Sequence, residues 1–377
     1  MSGHWGKLLR VNLSDGSTEI EDLSEGFQRK FIGGAGFAAK ILYDEVGPEV
    51  DPLDAENKLI IAPGLFLGPK IPTGSKTAFG FKAPLTGGYG KCIVGGWFGD
   101  ELKKAGFDVL VIEGKTEDPS VLIIEDDEVK IENAEDIWGT DTHEAGDLIK
   151  EKYGKVKTAV IGPAGEKLSK ISIIEANERQ AARGGIGAVM GSKMLKGIGI
   201  KGSKDYPIHD KDELDELISK YRKESAEKCK TDMEYGSGEA LHPLNVELGA
   251  FPVRNWEAGY FKEAYEKLED PEEGRIDIDP RKWTAEYRDG RRPCPYCTKP
   301  CSQYFVAEDT PYGDIAIDGP EYETQYSLGG DCGVDDVEAV AKANEVCDKL
   351  GIDTISAGAT VAWAMEAYEK GLLDTDL

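Results

Sequence analysis

In the first 205 residues the apolar positions fall in short runs that glycine closes. KLLRVNLSDGSTEIEDL alternates apolar and polar residues around Ser14, Asp15 and Gly16, which predicts a hairpin. KLIIAPG, FDVLVIEGK, SVLIIEDDEVKIENA, KTAVIGPAG and KGIGIKG predict further strands, most of them separated by glycine-rich joints. Three stretches switch to helical spacing: FQRKFIGGAGFAAKILYDEV, DELKKAG and THEAGDLIKEKYG. Residues 1–205 therefore read as an α+β domain built around sheets. Beyond Lys204 the pattern changes. DKDELDELISKYRKESAEKCK reads as a charged amphipathic helix with Asp210 or Asp212 near its start. VDDVEAVAKANEVCDKLG and TISAGATVAWAMEAYEKGLL predict two helices joined by a short turn. Residues 206–377 are expected to be mainly helical. The sequence stops directly after a helix with no closing element, so this second domain reads as truncated.

Composition narrows the class. The chain's 377 residues are enough for two or three domains with a sizeable core. The net charge of −26, from 71 acidic against 45 basic residues, repels phosphates and anionic lipids. Neither nucleic acid nor membrane is an expected partner. No apolar run is long enough to cross a bilayer, and the opening MSGHWGKLLRVNLSDG lacks the regions of a signal peptide. Seven cysteines, three of them clustered, argue against a secreted disulfide framework and for metal binding in a reducing compartment. A cytoplasmic location is the expectation.

The cluster is CPYCTKPC, with Cys294, Cys297 and Cys301 inside a loop that Pro293 and Pro300 stiffen. Three soft thiolates at this spacing suit one face of an iron–sulfur cluster whose fourth ligand comes from elsewhere. They also fit a zinc knuckle, the second reading, and the spacing alone leaves it open. Gly95 and Gly96 precede a helix start, where backbone N–H groups can face a phosphate, and Lys76 could add a positive charge. Glycine pairs in such places are more often tight packing joints. ARGGIGAVMGSKMLKGIGIKG breaks both the dinucleotide and the Walker patterns, because its glycine spacing is one too long and its Ser192-Lys193 order is reversed. Arg183 beside two glycines remains an anion-site candidate, since a guanidinium fork suits phosphate oxygens. In DGPEYETQYSLGG, Glu321 and Glu323 form an acidic pair of the kind that is usually solvated. In CDKLGIDTIS, Asp348 and Asp353 bracket a turn, where the ordinary role is helix capping.

Taken in order, GKLLRVNLSDG, PTGSKTAFGFKAPLTG, GGWFGDELKKAGFDVLVIEGK, IGPAGE, ARGGIGAVMGSKMLKGI, CPYCTKPC, GPEYET and CDKLGIDTIS resemble the aldehyde ferredoxin oxidoreductase family of tungsten-pterin enzymes. The resemblance runs through the whole chain. It implies an N-terminal domain of two β-sheets forming a base for tungsten held by two molybdopterins, with helical domains covering it. It makes Cys294, Cys297 and Cys301 three ligands of a [4Fe-4S] cluster. It puts Lys76, Gly95 and Arg183 at the pterin phosphates or their bridging magnesium. Asp348, Ile352 and Asp353 match the first of two pterin-binding motifs, and Glu323 matches a carboxylate of proton transfer. The implied reaction oxidises an aldehyde to a carboxylate, with ferredoxin as electron acceptor. Relatives acting on glyceraldehyde-3-phosphate, formaldehyde or an aromatic thioester, or an inactive pterin-binding fragment, are the alternatives.

The departures matter too. Typical members have Arg and Asn where this chain has Lys76 and Ile93, and a subunit-bridging iron ligand corresponds here to Lys342. A homodimer is allowed but loses that bridge. The second pterin motif, the fourth cluster cysteine and an active-site histidine belong to a C-terminal region that the sequence lacks. It is expected on a missing segment or a separate subunit, with the isolated chain inactive. Neither Cys332 nor Cys347 is expected to replace the missing ligand.

Overall fold

The computed structural model describes residues 3–270 and 274–375, with the side chains of Thr231 and Asp232 left out. The chain divides into two compact units. The first takes the chain up to Glu224 together with Cys294–Thr298 and Lys349–Ile352, and the second takes Ser225–Pro293, Lys299–Asp348 and the residues from Asp353 onward.

Two six-stranded mixed sheets build the first unit. One holds β1 (Lys7–Asn12), β2 (Thr18–Asp22), β3 (Leu59–Pro63), β4 (Thr77–Lys82), β5 (Tyr89–Val94) and β6 (Val109–Glu113) in the order β2-β1-β6-β3-β4-β5. The other holds β7 (Ser120–Glu125), β8 (Glu128–Asn133), β9 (Lys157–Val160), β10 (Ile174–Ala176), β11 (Gln180–Ala181) and β12 (Leu195–Lys201) in the order β11-β10-β9-β12-β7-β8. Each sheet has one parallel pair, β1 with β6 and β7 with β12. The helices of this unit are α1 (Glu25–Phe31), α2 (Ala35–Glu45), α3 (Phe98–Lys104), α4 (Thr142–Tyr153), α5 (Pro163–Glu166) and α6 (Ile186–Ser192). Helix α7 (Lys211–Lys228) carries the boundary between the units, and Asp210 caps it by accepting the Glu213 N–H at 2.9 Å.

Strand alternation explains the layering. Leu9 and Val11 of β1 point into a core shared with Leu122, Ile124, Ile198 and Ile200 of the second sheet and with Leu102 and Val189 of the helices. Leu8 points the other way, where Phe37, Ala38, Ile41 and Leu42 of α2 cover the first sheet. Val121 and Ile123 face Ala145 and Ile149 of α4. Both sheets are therefore buried on both faces over much of their length, so β3 and β4 read as unbroken buried runs.

Two expected elements come apart. The single helix expected over Phe27–Val46 is split into α1 and α2, because Ile32, Gly33 and Gly34 all take positive φ (66°, 151° and 51°) that ends one helix and starts the other. The strand pattern of SVLIIEDDEVKIENA folds as the hairpin β7–β8, turning where Asp126 has φ 52°.

The second unit is more helical. Its helices are α8 (Lys230–Tyr235), α9 (Lys262–Tyr265), α10 (Pro280–Tyr287), α11 (Tyr322–Thr324), α12 (Val337–Leu350) and α13 (Thr354–Glu369), of which α12 ends in residues of the first unit. The stripe Val337, Val340, Ala341 and Cys347 buries one face of α12. This unit also contains a hairpin that the helical reading omitted, β13 (Tyr304–Ala307) with β14 (Ile315–Asp318), packed through Phe305, Ile315 and Ile317 against Trp283, Val337 and Ala341.

Candidate functional site

Strand β5 is the edge of its sheet, and several candidate residues gather around it. Thr77 pairs with Val94, which sets Lys76 and Gly95 side by side at one end of the β4–β5 ladder. Lys76 is exposed and Gly95 half-buried. A buried thiol of the same strand, Cys92, donates to the Arg183 carbonyl oxygen at 3.5 Å and so brings the exposed Arg183 to the same edge. Arg183 has φ 93°, an uncommon conformation for a residue with a side chain, directly before Gly184 and Gly185. Lys76, Gly95 and Arg183 thus lie along one edge of the first unit.

A third basic residue joins them. Arg179 follows the two-residue turn Asn177–Glu178, both with positive φ, as expected of a type I′ hairpin between β10 and β11. Its Cγ lies 3.1 Å from where a Cβ on Gly96 would stand. The sequence reading missed Arg179, although the Asn opening a two-residue turn was a signal that the next residue would be held firmly.

The beginning of the cysteine loop, Cys294–Thr298, belongs to this same unit. The Gly96 N–H donates to Cys294 Sγ at 3.2 Å. Ser75 Oγ donates to the Pro295 carbonyl oxygen at 2.6 Å, and the rings of Trp97 and Tyr296 meet edge-on with centroids 6.2 Å apart. Inside the loop the Cys297 N–H closes a turn on the Cys294 carbonyl at 3.1 Å. Cys301 is exposed and belongs to the second unit. Among the described residues no group of three or more His, Cys, Asp or Glu side chains stands ready-made around one point. The fit to a metal therefore rests on the donor chemistry, cysteines outside any disulfide with an amide N–H aimed at one sulfur, which suits iron–sulfur and zinc alike. Two other thiols, Cys332 and Cys347, are buried away from solvent. Burial pushes Cys332 up to about 11, and burial with the nearby Asp348 and Asp353 pushes Cys347 up to about 12.

The 348–353 turn is used structurally. Gly351 has φ 74°, and its carbonyl accepts the Ile173 N–H at 2.9 Å. Ile352 bridges to Ser172. Asp353 caps α13, accepting from the Ile355 N–H at 3.3 Å and the Ser356 hydroxyl at 2.5 Å. Asp348 is buried and accepts the Asn344 side-chain amide at 2.7 Å. The ordinary capping role is thus filled at Asp353.

Glu323 sits exposed on the one-turn α11, while Glu321 beside it accepts the Ser237 hydroxyl. Tyr322, Tyr326 and Trp256 form a chain of ring contacts next to Glu323. Trp256 is carried there by three consecutive residues at positive φ, Arg254, Asn255 and Trp256, whose N–H groups donate to the Gly330 carbonyl, the Asp331 carbonyl and Asp331 Oδ1.

The reversed Walker-like lysine holds no phosphate. Lys193 is fully buried and donates to the carbonyls of Ala55, Asn57 and Gly114 at 3.1, 2.6 and 3.0 Å. Lys342 donates to the Asp314 carbonyl and to Glu345, so its ammonium is engaged within the second unit.

The chain is similar to known proteins along most of its length. Residues 8–202 match the N-terminal domain of aldehyde ferredoxin oxidoreductase, and residues 214–377 match its domains 2 and 3. The chain is 40% identical to the tungsten-containing aldehyde ferredoxin oxidoreductase of Pyrococcus furiosus, over 98% of this chain and 60% of the relative. The same enzyme of Thermococcus kodakarensis is 40% identical, over 100% of this chain and 60% of the relative. The chain therefore spans about 60% of the length of these relatives. A solved structure, the active-site complex BamBC of benzoyl-coenzyme A reductase with 1,5-dienoyl-CoA, superposes with a TM-score of 0.84 at 26% identity, covering 99% of this chain and 57% of that one. Two family models that together span nearly all of the sequence, with two mixed sheets followed by a more helical part, make this chain a member of the aldehyde ferredoxin oxidoreductase family of oxidoreductases.

Proposed function

We propose that this chain forms the larger part of a tungsten-pterin oxidoreductase that oxidises an aldehyde to a carboxylate, with water as oxygen source and ferredoxin taking the electrons. The observation that carries the reading is the 40% identity to tungsten-containing relatives along essentially the whole chain. The clustering of Lys76, Gly95, Arg183 and the start of the cysteine loop at one edge of the first unit supports it.

In this reading Lys76 and Arg183, with Arg179 beside them, bind the phosphates of the pterins and their magnesium, where a guanidinium fork and an ammonium meet paired oxygens. Cys294, Cys297 and Cys301 hold the [4Fe-4S] cluster. Asp348, Ile352 and Asp353 line the first pterin ring. When bound, tungstopterin would supply two-electron redox chemistry and a cluster on the three cysteines would supply one-electron transfer. Glu323 would accept a proton released as the hydrated carbonyl is oxidised to a carboxylate and pass it on to solvent. A polypeptide equivalent to the uncovered part of the relatives completes the site, on the same chain or as a partner subunit.

The test is viologen reduction by aldehydes under anaerobic conditions. The chain alone is expected to be inactive and the completed assembly active. Glu323→Gln in that assembly is expected to lose most turnover while keeping its tungsten, and unchanged turnover would remove Glu323 from the mechanism. The superposition on the benzoyl-coenzyme A reductase complex supports a second reading, reduction of an aromatic thioester in a multi-subunit enzyme. Dienoyl-CoA oxidation in place of aldehyde oxidation by the assembly would favour it.

A further inference from the structure

The glycine pair before α3 has a job that phosphate binding does not explain. Gly95 lacks positive φ, so its backbone would accept a side chain. What a side chain there would displace is a single atom. A Cβ on Gly95 would stand 2.7 Å from Cys294 Sγ, whereas its next neighbours, the Ser75 carbonyl oxygen and Lys76 Nζ, are at 3.8 and 3.9 Å, ordinary contact distances. The next residue supplies the complementary attraction, the Gly96 N–H donating to that same sulfur at 3.2 Å. Gly96 can aim its N–H this way because it holds φ 84°, where side chains are rarely tolerated. Ser75, one strand away, ties the following residue through the Pro295 carbonyl. Three points from the β4–β5 end thus fix the first turn of the cysteine loop.

We infer that Gly95 and Gly96 are positioning residues for the Cys294 thiolate, one by leaving the space that the sulfur fills and the other by donating a hydrogen bond to it. An N–H donor at a thiolate withdraws charge from the sulfur, which stabilises the reduced state of a cluster bound there and raises its reduction potential. The redox consequence rests on the proposed reading of Cys294 as a cluster ligand, but the positioning itself does not.

A double-mutant cycle on the full chain tests the positioning without any metal. Gly95→Ala alone is expected to lower the thermal midpoint by roughly 2–4 °C, the shift that about 1 kcal/mol gives in a unit of this size. In a Cys294→Ala background the collision partner is gone, and the same substitution is expected to be nearly silent. If Gly95→Ala proves too damaging to fold alone, recovery of folding in the double variant is the same result. An equal loss in both backgrounds overturns the proposal. The redox arm uses protein reconstituted anaerobically with iron and sulfide. Gly95→Ala is expected to shift the cluster by about 59 mV to more negative potential, a tenfold change in the reduced-to-oxidised ratio at fixed potential. Coupling in the cycle with an unmoved potential would overturn the tuning role. Failure of the native chain to bind iron and sulfide would instead count against the cluster reading, leaving the cycle to judge the positioning.

Discussion

The two units treat their difficult groups differently. The first buries several lysines and pairs each of them. Lys193 is surrounded by three carbonyls, Lys196 pairs with Glu166 and the Thr140 carbonyl, and Lys103 is paired with Asp108, which also accepts the Gly6 N–H at 2.7 Å. The second leaves an apolar helix face exposed. Helix α13 is apolar around most of its circumference, yet Val361, Trp363, Met365 and Tyr368 are exposed, Trp363 to 60%. Such a helix is ordinarily buried. Buried oxygens without a hydrogen-bond partner among the described residues occur in both units, at Asp100 Oδ1 and Glu175 Oε2 in the first and at Asp331 Oδ2 in the second. The exposed apolar face of α13 is the kind of surface that a further polypeptide covers.

The largest expected break of this contrast is at Asp108. Replacing it with Asn strands the buried Lys103 ammonium, and a loss of roughly 3–5 kcal/mol is expected in denaturant unfolding of the first unit. The same carboxylate gives a pH signature. Burial alone would raise its pKa, but His4 and Lys103 more than offset that and hold it below the ordinary value. The unfolded chain therefore binds the proton first as pH falls below about 4, so this stabilisation is present above that pH and lost on further acidification. The Asp108→Asn variant should lack that part of the acid loss.

Next in size is Lys193→Ala. It removes the shared donor of three interior carbonyls and is expected to cost about 3 kcal/mol, read in the same unfolding curves. A loss within experimental error would show that the first unit does not depend on satisfying its buried groups.

Asp331 sharpens the comparison with the opposite sign. Burial raises its pKa against the lowering by the Trp256 N–H, so the folded state takes up the proton at higher pH than the unfolded state does. Its charge is a penalty near neutrality that fades as pH falls toward the ordinary carboxylate range. Asp331→Asn keeps an acceptor for the Trp256 N–H, and it is expected to stabilise the second unit by up to about 1 kcal/mol at neutral pH. The smallest effect is at Trp363. Trp363→Ser should change stability by less than about 0.5 kcal/mol in the isolated chain. It should weaken association with a completing polypeptide, measured by co-purification. A large loss in the isolated chain would mean that α13 is already covered.

Features written in local pattern were legible in the sequence. The β1–β2 hairpin, the Asp210 and Asp353 caps and the amphipathic α12 each declare themselves within a few residues. The breaks were missed where backbone conformation overrides periodicity, as at Ile32–Gly34 inside an apparently continuous helical pattern. Strand β4 was hidden because burial on both faces erases alternation. At the site, the glycine pair was recognised as either a phosphate cradle or a packing joint, and the sulfur packed against Gly95 is a contact across about two hundred residues that no local pattern encodes. The same holds for Lys193, whose three acceptors come from distant segments, and for the left-handed run at Arg254–Trp256, which contains no glycine to announce it.

The most direct test of the proposed function is the metal content of the anaerobically purified chain. The prediction is iron with acid-labile sulfide, and loss of both colour and sulfide when any one of Cys294, Cys297 or Cys301 is replaced by Ser. Stoichiometric zinc without sulfide, unchanged by anaerobic handling, would contradict it and make the cysteine loop a structural zinc site.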